Sequence, residues 1–202
     1  MFNRNSATFI ITFFISLTCS ADNLMWERSL ELEKLGFYER AATAIEIYMT
    51  RGDDMEYALL RYAYLKYKQG EYNVSIDHYD KAIHLNPDSL DAKLGITLPY
   101  MAQGRWRRVK VYTRQVLTIS DWNYTAHECL MMAEEAMKKW TTLDRHAAEL
   151  TTAYPSDAGA LAYYAHANAM QGDVAMAIAA YEKVLMRDPE HIEANAYLGD
   201  KK

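Results

Sequence analysis

An all-α fold, a solenoid of stacked antiparallel helix pairs, is predicted by three observations. Gly36, Gly70, Gly104 and Gly172 stand 34, 34 and twice 34 residues apart, with Lys138 in the missing place of the series. Two residues after each slot come Tyr38, Tyr72, Trp106, Trp140 and Val174; seventeen after it come Asp53, Pro87, Asp121, Pro155 and Pro189. Apolar residues at helical spacing flank every slot. A unit of this length cannot bury its own apolar face, so copies of it must stack.

The chain begins with a segment of different character. Within residues 1–21, Arg4 is the only charged side chain, residues 7–17 are largely apolar, and Thr18, Cys19, Ser20 and Ala21 form a small polar end. This is the layout of a signal peptide cleaved after Ser20 or Ala21. The apolar run is about half the ~20 residues that cross a bilayer as a helix. An uncleaved anchor and lipidation at Cys19 stay open, although Leu17 stands one place too late for the lipoprotein pattern. Export is the expectation, to a bacterial periplasm, with a lipoprotein or secreted form as the alternatives. Once the leader is removed only Cys129 is left, so no intramolecular disulfide can form.

Five helix pairs follow, over 22–54, 55–88, 89–122, 123–156 and 157–190, with a short helix over 191–202 as a cap or an interrupted sixth unit. No linker or low-complexity stretch divides them, so residues 22–202 are read as one array. The second pair is the clearest: residues 56–69 form one helix, Gly70 ends it, residues 73–85 form the next, and Pro87 closes the unit. In the third, Pro99 falls inside the first helix and removes the hydrogen bond to Gly95, which predicts a kink. In the fourth, Lys138 replaces glycine. These two units are expected to be the least regular. Seven residues before each slot stand Ser29, Ala63, Thr97, Met131 and Ala165, and five after it Ala41, Ser75, Val109, Leu143 and Ala177. Several are small, which lets helices approach, with Tyr79 and Tyr181 as the bulky counterparts.

Lys68, Gln69, Gly70, Glu71 and Tyr72, continuing through Ser75, Tyr79, Ala82, Asn86 and Pro87, resemble the tetratricopeptide repeat consensus. Gln171, Gly172 and Asp173, with Ala177, Tyr181, Asp188 and Pro189, resemble it nearly as well. The resemblance covers about residues 24–200 and implies a right-handed superhelix whose first helices line a concave groove that binds a protein or peptide. The family's tryptophan eleven residues before the glycine is absent, the places holding Met25, Leu59, Lys93, His127 and Leu161.

The family's inward positions fall on Trp26, Glu27 and Leu30; Leu60, Arg61 and Tyr64; Leu94, Gly95 and Leu98; Glu128, Cys129 and Met132; and Ala162, Tyr163 and His166. The resemblance thus implies a mostly aromatic and aliphatic groove suited to an extended or helical peptide, with Glu27, Arg61 and His166 setting its polarity. Several of these residues could equally pack between helices. No placement of the family's carboxylate clamp of lysines, asparagines and arginine is reproduced, which excludes the co-chaperone role.

A second surface is cationic: Arg105, Arg107, Arg108 and Lys110, continued by Arg114, with Trp106 among them. Arg107, Lys110 and Arg114 share a helix face that could meet an anionic polymer or membrane, or be a solvated outer face. The net charge of −5 argues against nucleic acid as a partner. The six histidines form no metal-ligand spacing, and no phosphate loop or nucleophile elbow is present. Neither an enzyme nor a cofactor or metal site is expected.

Overall fold

The computed structural model describes residues 24–50 and 54–199. The expected leader over 1–21, Asp53 and residues 200–202 lie outside the described residues. In chain order the helices are α1 over 24–34, α2 Tyr38–Thr43 followed by a 3-10 turn Glu46–Met49, α3 Met55–Lys68, α4 Tyr72–Leu85, α5 Leu90–Gly95 and α6 Thr97–Ala102. They continue with α7 Trp106–Ile119, α8 Tyr124–Ala136, α9 Trp140–Ala153, α10 Ala158–Gln171, α11 Val174–Leu185 and α12 Ile192–Gly199. Two compact units divide between Pro99 and Tyr100. In the first, α3 packs on α2, α4 and α5; in the second, α8 packs on α7 and α9, α10 on α9 and α11, and α11 on α12.

One backbone motif produces the 34-residue spacing. Gly36, Gly70, Gly104 and Gly172 have φ of +79°, +80°, +67° and +86°, and Lys138 takes +55°. At each, the N–H of the slot residue donates to the carbonyl three residues back, and the following N–H to the carbonyl five back. These bonds satisfy carbonyls that the end of a helix leaves open. Lys138 therefore reproduces the glycine turn, at a cost of roughly 1 kcal/mol for an L side chain in that region. The fourth pair, expected to be irregular, is two unbroken helices of 13 and 14 residues.

Irregularity appears elsewhere. The first helix of the third pair is interrupted at Ile96, between α5 and α6, one turn ahead of Pro99, which has no N–H for the Gly95 carbonyl. Thr97 Oγ1 instead donates to the Leu94 carbonyl at 2.5 Å. In the first pair α2 stops after six residues. Thr43 is its last residue and Ile45 and Ile47 follow at alternate positions, and β-branched side chains resist the helical turn.

The first helices also start in register. Ser89, Asn123, Asp157 and His191 are 34 residues apart, and each side chain accepts from the backbone N–H three residues on, at 3.2, 2.9, 3.2 and 3.3 Å. Such a cap contributes about 1 kcal/mol.

The core follows the same period. Ser29, Ala63, Thr97, Met131 and Ala165, with Ala41, Ser75, Val109, Leu143 and Ala177, are all at most 1% exposed. Where the two series meet in the first pair, Ser29 Oγ donates to the Ala41 carbonyl at 2.8 Å. Tyr79 is buried over Gly95, where a Cβ would overlap its ring.

Candidate functional site

In the first unit the expected groove residues have divided roles. Trp26 is half-buried and stacks on Tyr48, with ring centroids 4.9 Å apart and planes 18° apart, and meets Tyr57 at 4.9 Å with its plane tilted by 39°. Glu27 and Leu30 are exposed. Arg61 is buried: Nη1 lies 2.9 Å from the Glu33 carboxylate and Nε donates to Ser29 Oγ at 3.0 Å. Its charge is engaged in joining α3 to α1. Leu60, Tyr64, Leu94 and Leu98 are half-buried. Leu60 packs on the Leu59, Ala82 and Ala92 core, and Tyr64 faces Tyr67 with centroids 6.4 Å apart.

In the second unit the inward positions converge on a cavity. Glu128 and Glu135 of α8, Gly159, Ala162, Tyr163 and His166 of α10, and His191 and Glu193 at the start of α12 line about 340 Å³. The spacing explains the convergence: 128 and 135 lie two turns apart on α8, and 159, 162, 163 and 166 share one face of α10. Cys129 is buried beside this face, and Met132 is half-buried.

Electrostatics give the cavity its character. His166 Nδ1 lies 2.5 Å from Glu193 Oε1 and its Nε2 3.9 Å from Glu135, while Tyr181 Oη donates to Glu193 at 2.5 Å. The hydrogen bond to Glu193 raises the His166 pKa above its ordinary value, and the same bond lowers that of Glu193. Burial raises Glu135, with His166 opposing it. Burial also raises the Tyr163 phenol, reinforced by Glu135 and Glu128, so the hydroxyl stays protonated as a donor. Glu193 is engaged by His166 and Tyr181, which leaves Glu128 and Glu135 as the carboxylates that could meet a cationic group, with the Tyr163 ring as an apolar wall. Among the described residues, no group of three His, Cys, Asp or Glu side chains is arranged to hold a metal ion.

The inward register found Glu128, Ala162, Tyr163 and His166. It missed Glu135, one turn beyond the positions it selects, and it missed His191 and Glu193. Extending the count one unit further selects Ala196 and Tyr197 and so would not have reached the last two, which stand where the last helix begins.

The cationic stripe lies on α7. Arg107, Arg108 and Arg114 are exposed and Lys110 is half-buried. The Arg105 guanidinium sits 4.6 Å from the Tyr100 ring centroid and donates to Gln103 Oε1 at 3.2 Å. A second cavity, of about 400 Å³, is lined by Gly104, Arg105, Trp106, Arg107, Arg108 and Met137. Among the described residues, no helix is long and apolar enough to cross a membrane.

No protein-family model matches the chain, and no curated protein sequence matches it. Solved structures do. A tetratricopeptide repeat protein from Parabacteroides merdae superposes with a TM-score of 0.79 at 11% identity, over 90% of this chain and 72% of its own. MamA residues 41 to the end from Desulfovibrio magneticus give 0.74 at 13%, over 85% and 97%. YrrB, described as a TPR protein with an unusual peptide-binding site, gives 0.69 at 14%, over 84% and 88%.

Proposed function

We propose that this chain, which has the tetratricopeptide repeat fold, is an exported protein-interaction scaffold that holds a peptide segment of a partner against its first helices. The observation that carries this reading is the cavity on α8, α10 and α12, where consecutive first helices present Glu128, Glu135, Tyr163, His166 and Glu193 together. Its chemistry selects a lysine or arginine side chain flanked by apolar residues: carboxylates meet the cation, and Tyr163 covers the aliphatic stem. YrrB, a structural neighbour, is described as having a peptide-binding site. The apolar leader supports export, and an adaptor in bacterial envelope assembly or secretion is the role that joins export to peptide capture.

A panel of peptides that differ only in lysine, arginine or norleucine at one position tests the specificity. Lysine and arginine peptides should bind the protein, and Glu128→Lys with Glu135→Lys should weaken that binding at least ~10-fold, since hydrogen bonds to charged groups contribute about 1.5–3 kcal/mol each. Unchanged binding by the double variant would refute the cavity as the site. Export is tested separately: a reporter active only outside the cytoplasm should require residues 1–21.

A further inference from the structure

The sequence of α7, Trp106–Ile119, carries Arg107, Arg108, Lys110 and Arg114 and no acidic residue, in a chain whose net charge is −5. Its buried residues Val109, Thr113 and Val116 define the packed side, so the opposite arc faces solvent. That arc holds the exposed arginines together with Val111 at 46% and Ile119 at 48% exposure. Among the described residues no carboxylate pairs with Arg107, Arg108, Lys110 or Arg114. At one end of the arc the cavity of about 400 Å³ is walled by Arg105, Arg107 and Arg108, with Trp106 and Met137 beside them.

We propose that the solvent face of α7 docks on an anionic phospholipid surface, with a lipid phosphate seated among Arg105, Arg107 and Arg108. The inference is independent of the peptide site, which uses α8, α10 and α12. Guanidinium groups match phosphate oxygens in pairs. Aliphatic side chains exposed among cations are what an interfacial helix face presents to the headgroup and acyl boundary. A soluble acidic polymer would use the charges and leave Val111 and Ile119 in water, so the apolar members of the arc favour lipid. The export proposed above from residues 1–21, whether by cleaved leader, anchor or lipidated Cys19, would take the chain to a membrane.

The test is cosedimentation of the full chain with vesicles of phosphatidylglycerol and phosphatidylcholine mixed, against phosphatidylcholine alone. Wild type should bind the anionic vesicles at low salt and release from them at high salt. Each cation near an anionic surface contributes about five-fold in affinity. The Arg107→Glu, Arg108→Glu pair therefore loses at least ~100-fold, and Arg114→Glu alone loses less. Val111→Ser should weaken vesicle binding while leaving the net charge unchanged. Circular dichroism confirms that each variant keeps its helices. Equal binding by wild type and the double variant, or equal binding to phosphatidylcholine alone, would overturn the proposal. So would millimolar inorganic phosphate displacing the protein from the vesicles, which would make the pocket a site for free phosphate, or binding to soluble polyglutamate with none to vesicles.

Discussion

His127 Nδ1 lies 2.8 Å from His146 Nε2, in the middle of a line of polar groups that runs inward from a turn. His127 Nε2 is 2.9 Å from the Asp121 carbonyl, and His146 Nδ1 is 3.1 Å from the Glu134 carboxylate, which is 2% exposed. Three hydrogen bonds need three protons, and two neutral imidazoles carry two. The third sits on Glu134 or converts one ring to imidazolium, and both arrangements leave the line with no net charge. Glu134→Ala strands the His146 ring nitrogen and should cost about 2–4 kcal/mol in urea denaturation, whereas Glu134→Gln keeps an acceptor and should cost about 1 kcal/mol. Equal losses would argue that Glu134 contributes volume alone.

The turn at Lys138 makes a prediction of the opposite sign. Glycine adopts its backbone conformation without the side-chain penalty, so Lys138→Gly should stabilise the fold by about 1 kcal/mol even though no core contact changes. The converse change, Gly70→Ala, should destabilise by a similar amount. A loss of stability in Lys138→Gly would mean that the lysine side chain offsets its own strain.

Gly95 is held by contact rather than by φ. A Cβ there overlaps the Tyr79 ring, so Gly95→Ala should cost about 1–3 kcal/mol through forced repacking. Tyr79→Leu makes room, and the double variant should recover part of that loss in a thermal-denaturation cycle. Simple additivity of the two changes would place the strain elsewhere.

Two histidines, His166 in the cavity and His127 in the polar line on α8 and α9, should shape the pH dependence of stability in opposite directions. Glu193 is lowered in the fold, so its contribution is full above about pH 4.5 and is lost as pH falls through its folded value. His166 is raised, so its contribution is full below about pH 6.5 and is lost as pH rises through its folded value. Their pair therefore stabilises most between about pH 4.5 and 6.5. Burial lowers His127, with the Asp121 carbonyl opposing, so stability from that residue falls as pH drops below about 6.5. His166→Gln should flatten the alkaline side of the stability profile, and His127→Gln should flatten the fall near pH 6; an unchanged profile in both would remove both histidines from the linkage.

Much of the fold was legible because its period is enforced by backbone geometry that only a few residues satisfy. Glycines and prolines at fixed offsets mark turns, and positions such as Ala63 and Ala165 mark close packing. The break at Ile96 was readable from Pro99, since a missing N–H is visible in a sequence. Lys138 misled because a residue's identity does not report the φ its neighbours impose. The site was legible only in part. The inward register reaches Tyr163 and His166, but it cannot say that Arg61 spends its charge on Glu33. Nor does sequence reveal the His127–His146–Glu134 line, whose members lie 19 and 12 residues apart and meet only when α8 and α9 pack.

Ser89, Asn123, Asp157 and His191 have a consequence beyond local stability. Because each opens its helix at the same phase of the 34-residue cycle, excising residues 123–156 would bring Asp157 to the place Asn123 held, directly after Trp122, and the splice would meet a working cap. The chain can therefore be lengthened or shortened in whole modules at these junctions without designing a new seam. Insertions of any other length would shift every downstream cap, turn and inward position out of step together.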